Sequence, residues 1–529
     1  MKHHIFKSTA LALVFCVASA SCTDSFDAMN RDPMGMTDGD LGYMTAYIQE
    51  WGTRIGSWEY QVGENLHTNL YAQYFANSAS YFTSDSYTYK SEWVTDGFWN
   101  TYYVGVLKQF KTAQAIAAQN PAYGNIFQTM RIFTAMCTAQ LTDLFGDMPY
   151  TQAALGNSKA EYDTQKSIYT DIFKELSEAV EKLKADKSNA TMITFKQNQD
   201  LIYDGDLEKW IKLGNSLRLR YAMRLAYIDP ETSKKEAMAA LAGGGMLDSN
   251  ADNAGVFISG QGVTGWPLHQ ISGWGEFCMS KTMERMLKQT SSVMDPRTAL
   301  WFGHTEKSTV ENPEYTGIPN GVPVDKLAQY PKDMRSNVWG LQTAPTWNSK
   351  GDSKFPYNVA KRQKVMDYAE VCFLKAELAL RGWSSSINAE NMYLAGIQAS
   401  LDNERANVDP SLYSTKNDET YKNSGSVAWE TQSSLEGHLE QIMTQKWLAL
   451  YPNGVEAWTE FRRTGYPKLT PVKLSLDPSI NADKGEFIKK LRYVDDELRE
   501  NPNATKKSLN DGKGDGSNVR VWWDTGRYK

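Results

Sequence analysis

Cysteine and histidine are scarce: the 529-residue chain has five of the first and six of the second. Cys16 and Cys22 sit in an N-terminal export segment, leaving Cys137, Cys278 and Cys372 at scattered spacing. An odd number without CxxC excludes a disulfide framework and a thiolate metal site, and predicts buried thiols. His3 and His4 fall in the same leader, while His67, His269, His304 and His438 stand alone, without HxH or HxxxH spacing. GxSxG, HExxH and Walker patterns are missing as well. No metal, no cofactor and no catalytic residue is therefore predicted, and the chain is read as a non-enzyme. A pair of carboxylates for glycoside hydrolysis is the one catalytic arrangement left open, because two acids meet in space rather than in sequence. Surplus positive charge is lacking too. Lys plus Arg total 56 against 62 Asp plus Glu, a net charge of -6, which disfavours a nucleic-acid partner. Beyond the leader no run approaches the roughly 18 apolar residues of a membrane-spanning helix.

What is abundant is aromatic: 12% of the chain, with 16 Trp and 28 Tyr. With 41% hydrophobic and 22% charged residues the composition is that of a folded globular protein. Its rings fill cores, form a recognition surface, or do both.

Residues 1–22 read MKHHIFKSTALALVFCVASASC: Lys2 and Lys7, an apolar stretch from Ala10 to Ala18, then small residues up to Cys22. This is an export signal. Small residues ending at a Cys resemble the lipobox of bacterial lipoproteins, with Ser19 where that pattern usually has Leu. The resemblance implies a signal over 1–21 and a mature chain that begins at lipid-bearing Cys22.

Helical periodicity dominates the rest. In QKSIYTDIFKELSEAVEKL, Ile168, Ile172, Phe173, Leu176, Ala179, Val180 and Leu183 recur at three- and four-residue spacing, an amphipathic stripe over Gln165–Leu183. The same period predicts helices over Phe98–Ala118, Ile126–Leu144, Leu207–Ala226, Met366–Leu380, Met392–Arg405, Leu435–Tyr451 and Gly454–Arg463. Short breaks join several into antiparallel pairs, as at Tyr451-Pro452-Asn453-Gly454. The fold class is thus mainly α, with tetratricopeptide-like helix pairs, although no clean 34-residue repeat is present. Residues 244–275 and 303–360 are rich in Gly, Pro, Asn, Ser and Trp and carry no sustained period, so they read as long, functional loops. The polar stretch 502–518 reads as mobile, and Asp511 and Asp515 within it as solvated, because the Glu of a calcium loop is missing.

A series of strings in fixed order resembles the SusD/RagB superfamily of outer-membrane lipoproteins. They are Gln140-Leu141-Thr142-Asp143-Leu144-Phe145-Gly146-Asp147-Met148-Pro149-Tyr150; Tyr203-Asp204-Gly205-Asp206 with Lys209-Trp210 and Asn215 to Arg220; Tyr368-Ala369-Glu370-Val371 with Ala376-Glu377; and Trp447 to Tyr451 through Trp458, Phe461-Arg462-Arg463-Thr464-Gly465 and Tyr466-Pro467. Physically these are structural residues. Gly146 permits a left-handed cap, Asp147 bonds turn amides, Pro149 stops the helix, and Arg218, Arg220, Arg224, Glu370 and Glu377 are expected to pair across packed helices. The resemblance implies a single SusD-like helical domain over 22–529. It also implies a glycan ligand, a lipid anchor in the outer membrane at the cell surface, and a SusC-like TonB-dependent transporter as partner.

The aromatics carry the binding expectation. In SASYFTSDSYTYKSEW, Tyr81, Tyr87, Tyr89 and Trp93 alternate with polar residues; Trp266 and Trp274 sit among glycines; Trp339, Trp347 and Tyr357 lie among Asn, Gln and Lys. A sugar's axial C–H face packs on a flat ring while its hydroxyls need polar partners at the rim. Tyr81, Tyr89, Trp93, Trp266, Trp274, Trp339 and Trp347 are the predicted ligand-contacting rings, whereas Trp99 and Tyr102, at helical spacing, read as core. A secreted glycoside hydrolase and a peptide-binding helical-repeat scaffold are the alternatives.

Overall fold

The computed structural model describes residues 40–528, apart from 157, 259–265, 310, 339–345, 348–352, 355–360, 407, 409 and 411–412. Cys22, Trp339 and Tyr357 lie outside the described residues. Among those described, four successive helix pairs carry the architecture: Gly124–Phe145 with Gln165–Asp186, Leu207–Arg224 with Pro230–Ala242, Tyr368–Leu380 with Ala389–Arg405, and Leu435–Leu450 with Gly454–Thr464. Neighbouring pairs pack on one another in turn.

The local reasons are legible. Thr164 caps the Gln165–Asp186 helix by accepting the Ser167 amide, and the whole predicted stripe from Ile168 to Leu183 is buried. Burying each large aliphatic stabilises by about 1.5–3 kcal/mol. Gly146 ends the preceding helix at φ +80. Asp147 then accepts the Gln165 amide at 2.8 Å and the Asn510 amide at 2.7 Å, so this turn is structural, as expected. The sequence reading did not name helices Leu41–Gly52 or Pro230–Ala242, although Asp229-Pro230 is a helix-start signal.

Between the helix pairs lies a buried ionic lattice. Arg220 donates to Glu370 at 2.8 Å, and Arg224 to Glu456 at 2.8 Å and to Glu460. Arg463 grips Glu377 at 2.8 and 2.7 Å and Glu460 at 2.9 and 2.7 Å, while Lys446 reaches Glu460 at 3.0 Å. Apart from Arg463 with Glu460, which share the Gly454–Thr464 helix, these pairs cross between helices, as expected.

Strands are few, and each is paired with one other: Phe75–Asn77 with Phe277–Met279, Met148–Pro149 with Tyr162–Asp163, Ala254–Ile258 with Lys361–Met366, and Thr346–Trp347 with Ser353–Lys354. Two expectations need correction. The long loops contain structure, namely the Ala254–Ile258 strand and the Pro267–Ser272 helix in the first. The 502–518 tail is also anchored: Asn510 is buried and bonded both ways to Asp147, and Asp515 takes the ammonium of fully buried Lys490 and the Tyr493 amide. Cys137, Cys278 and Cys372 are free and buried, as predicted.

Candidate ligand-binding face

Backbone pairing brings two distant aromatic segments together. In the Phe75–Asn77 and Phe277–Met279 ladder, Asn77 faces Phe277. The amides of Ser78 and Ala79 extend it by donating to the Glu276 carbonyl, and Ser78 Oγ donates to the Gly275 carbonyl at 3.0 Å. Tyr81 is thereby set beside the Trp274-Gly275-Glu276 stretch.

A second approach supplies the other side. The segments Ser57–Tyr71 and Ser91–Trp99 cross with Gly63 against Gly97, where a Cβ built on Gly97 would lie 2.4 Å from the Gly63 Cα. Only glycine tolerates that backbone contact. It puts Trp58 within reach of Asp96.

The contacts then close into a circuit. The Tyr81 hydroxyl donates to Glu276 Oε1 at 2.8 Å, and Gln61 Nε2 donates to Glu276 Oε2 at 2.9 Å. Three residues before Gln61, the Trp58 indole donates to Asp96 Oδ2 at 3.1 Å. Three residues before Asp96, the Trp93 ring meets Phe82 edge-on at 5.7 Å, and Phe82 meets Tyr81 at 4.9 Å. Three rings of this rim stand out from the surface: Tyr81 at 66% exposure, Trp274 at 51% and Trp58 at 50%. A large ring held open, with its polar tip fixed, is already organised for stacking. The carboxylate that accepts the Tyr81 proton also pushes its phenol above the usual tyrosine range.

The predicted rings separate on this geometry. Tyr81 and Trp274 are exposed members of the rim. Trp93 is half-buried, with the Lys90 ammonium over its face at 4.0 Å and Phe82 at its edge, so it props the rim and is not the free platform expected. Tyr89 is corrected to a structural pin: its hydroxyl donates to the Arg492 and Tyr493 carbonyls and the Arg492 guanidinium lies 4.4 Å over its ring. Trp266 is buried at 7% exposure, its indole donating to Gln363 at 3.2 Å, and so is not the exposed ring expected from its glycine-rich surroundings. Tyr87 is likewise buried. Trp347 lies in the backbone-paired Thr346–Trp347 strand, and Trp339 lies outside the described residues. Trp99 and Tyr102 are buried, as read.

Sequence reasoning missed Trp58, Phe82 and Glu276. Trp58 follows Gly56-Ser57 and precedes Glu59, the same ring-among-polar-residues signal that selected Tyr81. Among the described residues, no group of three His, Cys, Asp or Glu is placed to hold a metal ion.

Stacked helix pairs form a helical scaffold that carries an exposed aromatic rim, Trp58 from the short helix Ser57–Tyr60 and Tyr81 from the segment after the Phe75–Asn77 strand. The chain belongs to the SusD-like family, Susd and RagB outer membrane lipoprotein, which matches residues 27–524. It is accordingly an outer-membrane, lipid-anchored protein. Among solved structures, a chitin-binding SusD homologue from Flavobacterium johnsoniae is 26% identical, with 92% of this chain and 99% of that one covered and a TM-score of 0.75. SusD homologues from Parabacteroides distasonis (25% identity, 92% and 98% coverage, TM-score 0.77) and Bacteroides vulgatus (26%, 92% and 98%, TM-score 0.74) are similar over the same extent. No curated protein sequence matches.

Proposed function

We propose that this protein is a non-catalytic surface lipoprotein that captures an oligosaccharide on the rim of Trp58, Tyr81 and Trp274 and passes it to a SusC-like TonB-dependent transporter. The observation that carries the reading is the closed circuit of contacts holding the exposed Trp58 and Tyr81 rings on carboxylates, with exposed Trp274 two residues along the chain from Glu276. Rings take the C–H faces of sugars and carboxylates accept their hydroxyls. The two rim carboxylates are already bonded to ring donors, which suits holding better than proton transfer. The chitin-binding homologue from Flavobacterium johnsoniae supports a glycan as the ligand class.

Calorimetry against a panel of oligosaccharides tests the reading. Trp274→Ala and Trp58→Ala should each weaken binding by about 2 kcal/mol, over tenfold, as truncation of a binding hot spot does. Melting curves should hardly move, since both rings are half exposed, and reducing ends should not accumulate. Full affinity in both variants, or steady turnover, would refute it.

Lipid attachment is placed on Cys22, after the signal 1–21, because small residues lead directly to that Cys. Cys22→Ala should move the protein from the membrane to the aqueous fraction. Retention equal to wild type would exclude this anchor.

A further inference from the structure

The rim carries negative charge that its own contacts do not neutralise. Half-buried Glu276 has both oxygens in use, one accepting the Tyr81 hydroxyl and the other the Gln61 amide, and both partners are neutral donors. Asp96 likewise accepts from the neutral Trp58 indole. Among the described residues of the circuit the cation is Lys90, and it lies over the face of Trp93. Each of these two exposed rings is therefore bonded at its polar tip to a formal negative charge. A sugar stacked on Tyr81 would bring its substituents close to Glu276, where a hydroxyl or ammonium donates a hydrogen bond and a carboxylate or sulfate meets like charge. The glycan's charge is thus sorted where it stacks.

Resting on the reading of this rim as a glycan site, we propose that Glu276 is its specificity-determining residue. It fixes the Tyr81 ring and keeps a negative charge beside it, so that the rim takes neutral or amine-bearing oligosaccharides and rejects uronate- or sulfate-bearing ones. One like-charge pair at about 4 Å in a water-like medium is worth about fivefold in affinity, more where the pair is desolvated, and less as salt is added. An ammonium gains from both the carboxylate and the ring face.

The test is a glycan array carrying neutral, amine-bearing and uronate-bearing oligosaccharides, followed by titration of the best neutral binder and a uronate oligomer at low and high salt. Wild type should favour the neutral and amine-bearing probes, the more so at low salt. Glu276→Gln keeps an acceptor for Tyr81 and removes the charge, so the preference over uronate should narrow about fivefold. Glu276→Ala also frees the ring, and should weaken the neutral probe further than Glu276→Gln does, a loss the conservative variant restores. Asp96→Asn repeats the charge test at a separate residue should Glu276 variants fold poorly. Uronate probes bound as tightly as neutral ones, or a preference unchanged in Glu276→Gln and Asp96→Asn, would overturn the inference while leaving a glycan site standing. Failure of wild type to bind any probe would overturn the glycan reading and this inference with it.

Discussion

Replacing Arg463 with alanine should cost about 3–5 kcal/mol of folding stability, the usual penalty for removing one partner of a buried ion pair. Arg463 is 1% exposed and also donates to the Met223 carbonyl. Its loss leaves the Glu377 carboxylate to Arg381 among the described residues, and leaves Glu460 to Arg224 and Lys446. Attraction to the surrounding cations holds Glu460 well below the usual glutamate range and outweighs burial; removing Arg463 shifts that balance toward protonation. A double-mutant cycle with Glu377→Ala should show the combined loss to be smaller than the sum of the single losses, because the second change removes the carboxylate that has lost Arg463. Thermal or denaturant unfolding of the three variants measures this. A single-variant loss under 1 kcal/mol would mean the lattice adds little.

A second large effect is expected from pH. Asp85 is buried in the turn that follows Tyr81, accepting the Asn77 amide at 3.0 Å and its side chain at 3.2 Å, and burial pushes its carboxyl up to about 6. Tyr87 and Cys278 lie near it, both neutral at these pH values, and burial is the largest influence on its carboxyl. The folded state therefore holds this proton more tightly than the unfolded chain, whose carboxyl loses it near pH 3.8. Stability from this group is greatest below the unfolded value and is lost as pH rises toward 6, on the order of 3 kcal/mol in all. Asp85→Asn removes the titration, and the unpaired Oδ1 of Asn77 offers an acceptor to the new amide if that side chain turns. The variant's melting temperature should equal wild type near pH 4 and exceed it above pH 6. Asp143, also pushed to about 6 chiefly by burial, adds the same sign of dependence to both proteins and cancels in the comparison. A difference that does not vary with pH would disprove the assignment.

The helical scaffold was readable because its cause is local. The stripe from Ile168 to Leu183 depends on neighbours within a turn or two and is buried as expected; Gly146 ends its helix at the positive φ expected, but its φ of +80 with ψ of -130 lies outside the left-handed helical region, which corrects the cap's conformation. The Met366–Leu380 expectation slipped by two residues because Met366 ends a strand whose partner is Ala254, far away in sequence. The site was half legible for the same reason. Trp266 and Trp274 occupy one glycine-rich stretch, and what buries the first is Gln363 and its surroundings, which no local pattern announces. The tail was misread because polarity suggests solvent, whereas Asn510 and Asp515 are polar in order to satisfy Asp147 and Lys490.

The two halves of the rim are far apart along the chain: Tyr81 and Glu276 by 195 residues, Gln61 and Glu276 by 215. Closing loops of that length is slow and entropically late compared with docking two adjacent helices. The helix pairs between residues 124 and 242 can form from neighbouring contacts before the rim exists. Binding competence is then among the last properties the chain acquires as it folds. A break in the backbone between residues 242 and 276 that let the Phe277–Met279 strand detach would silence the face while leaving those helices in register.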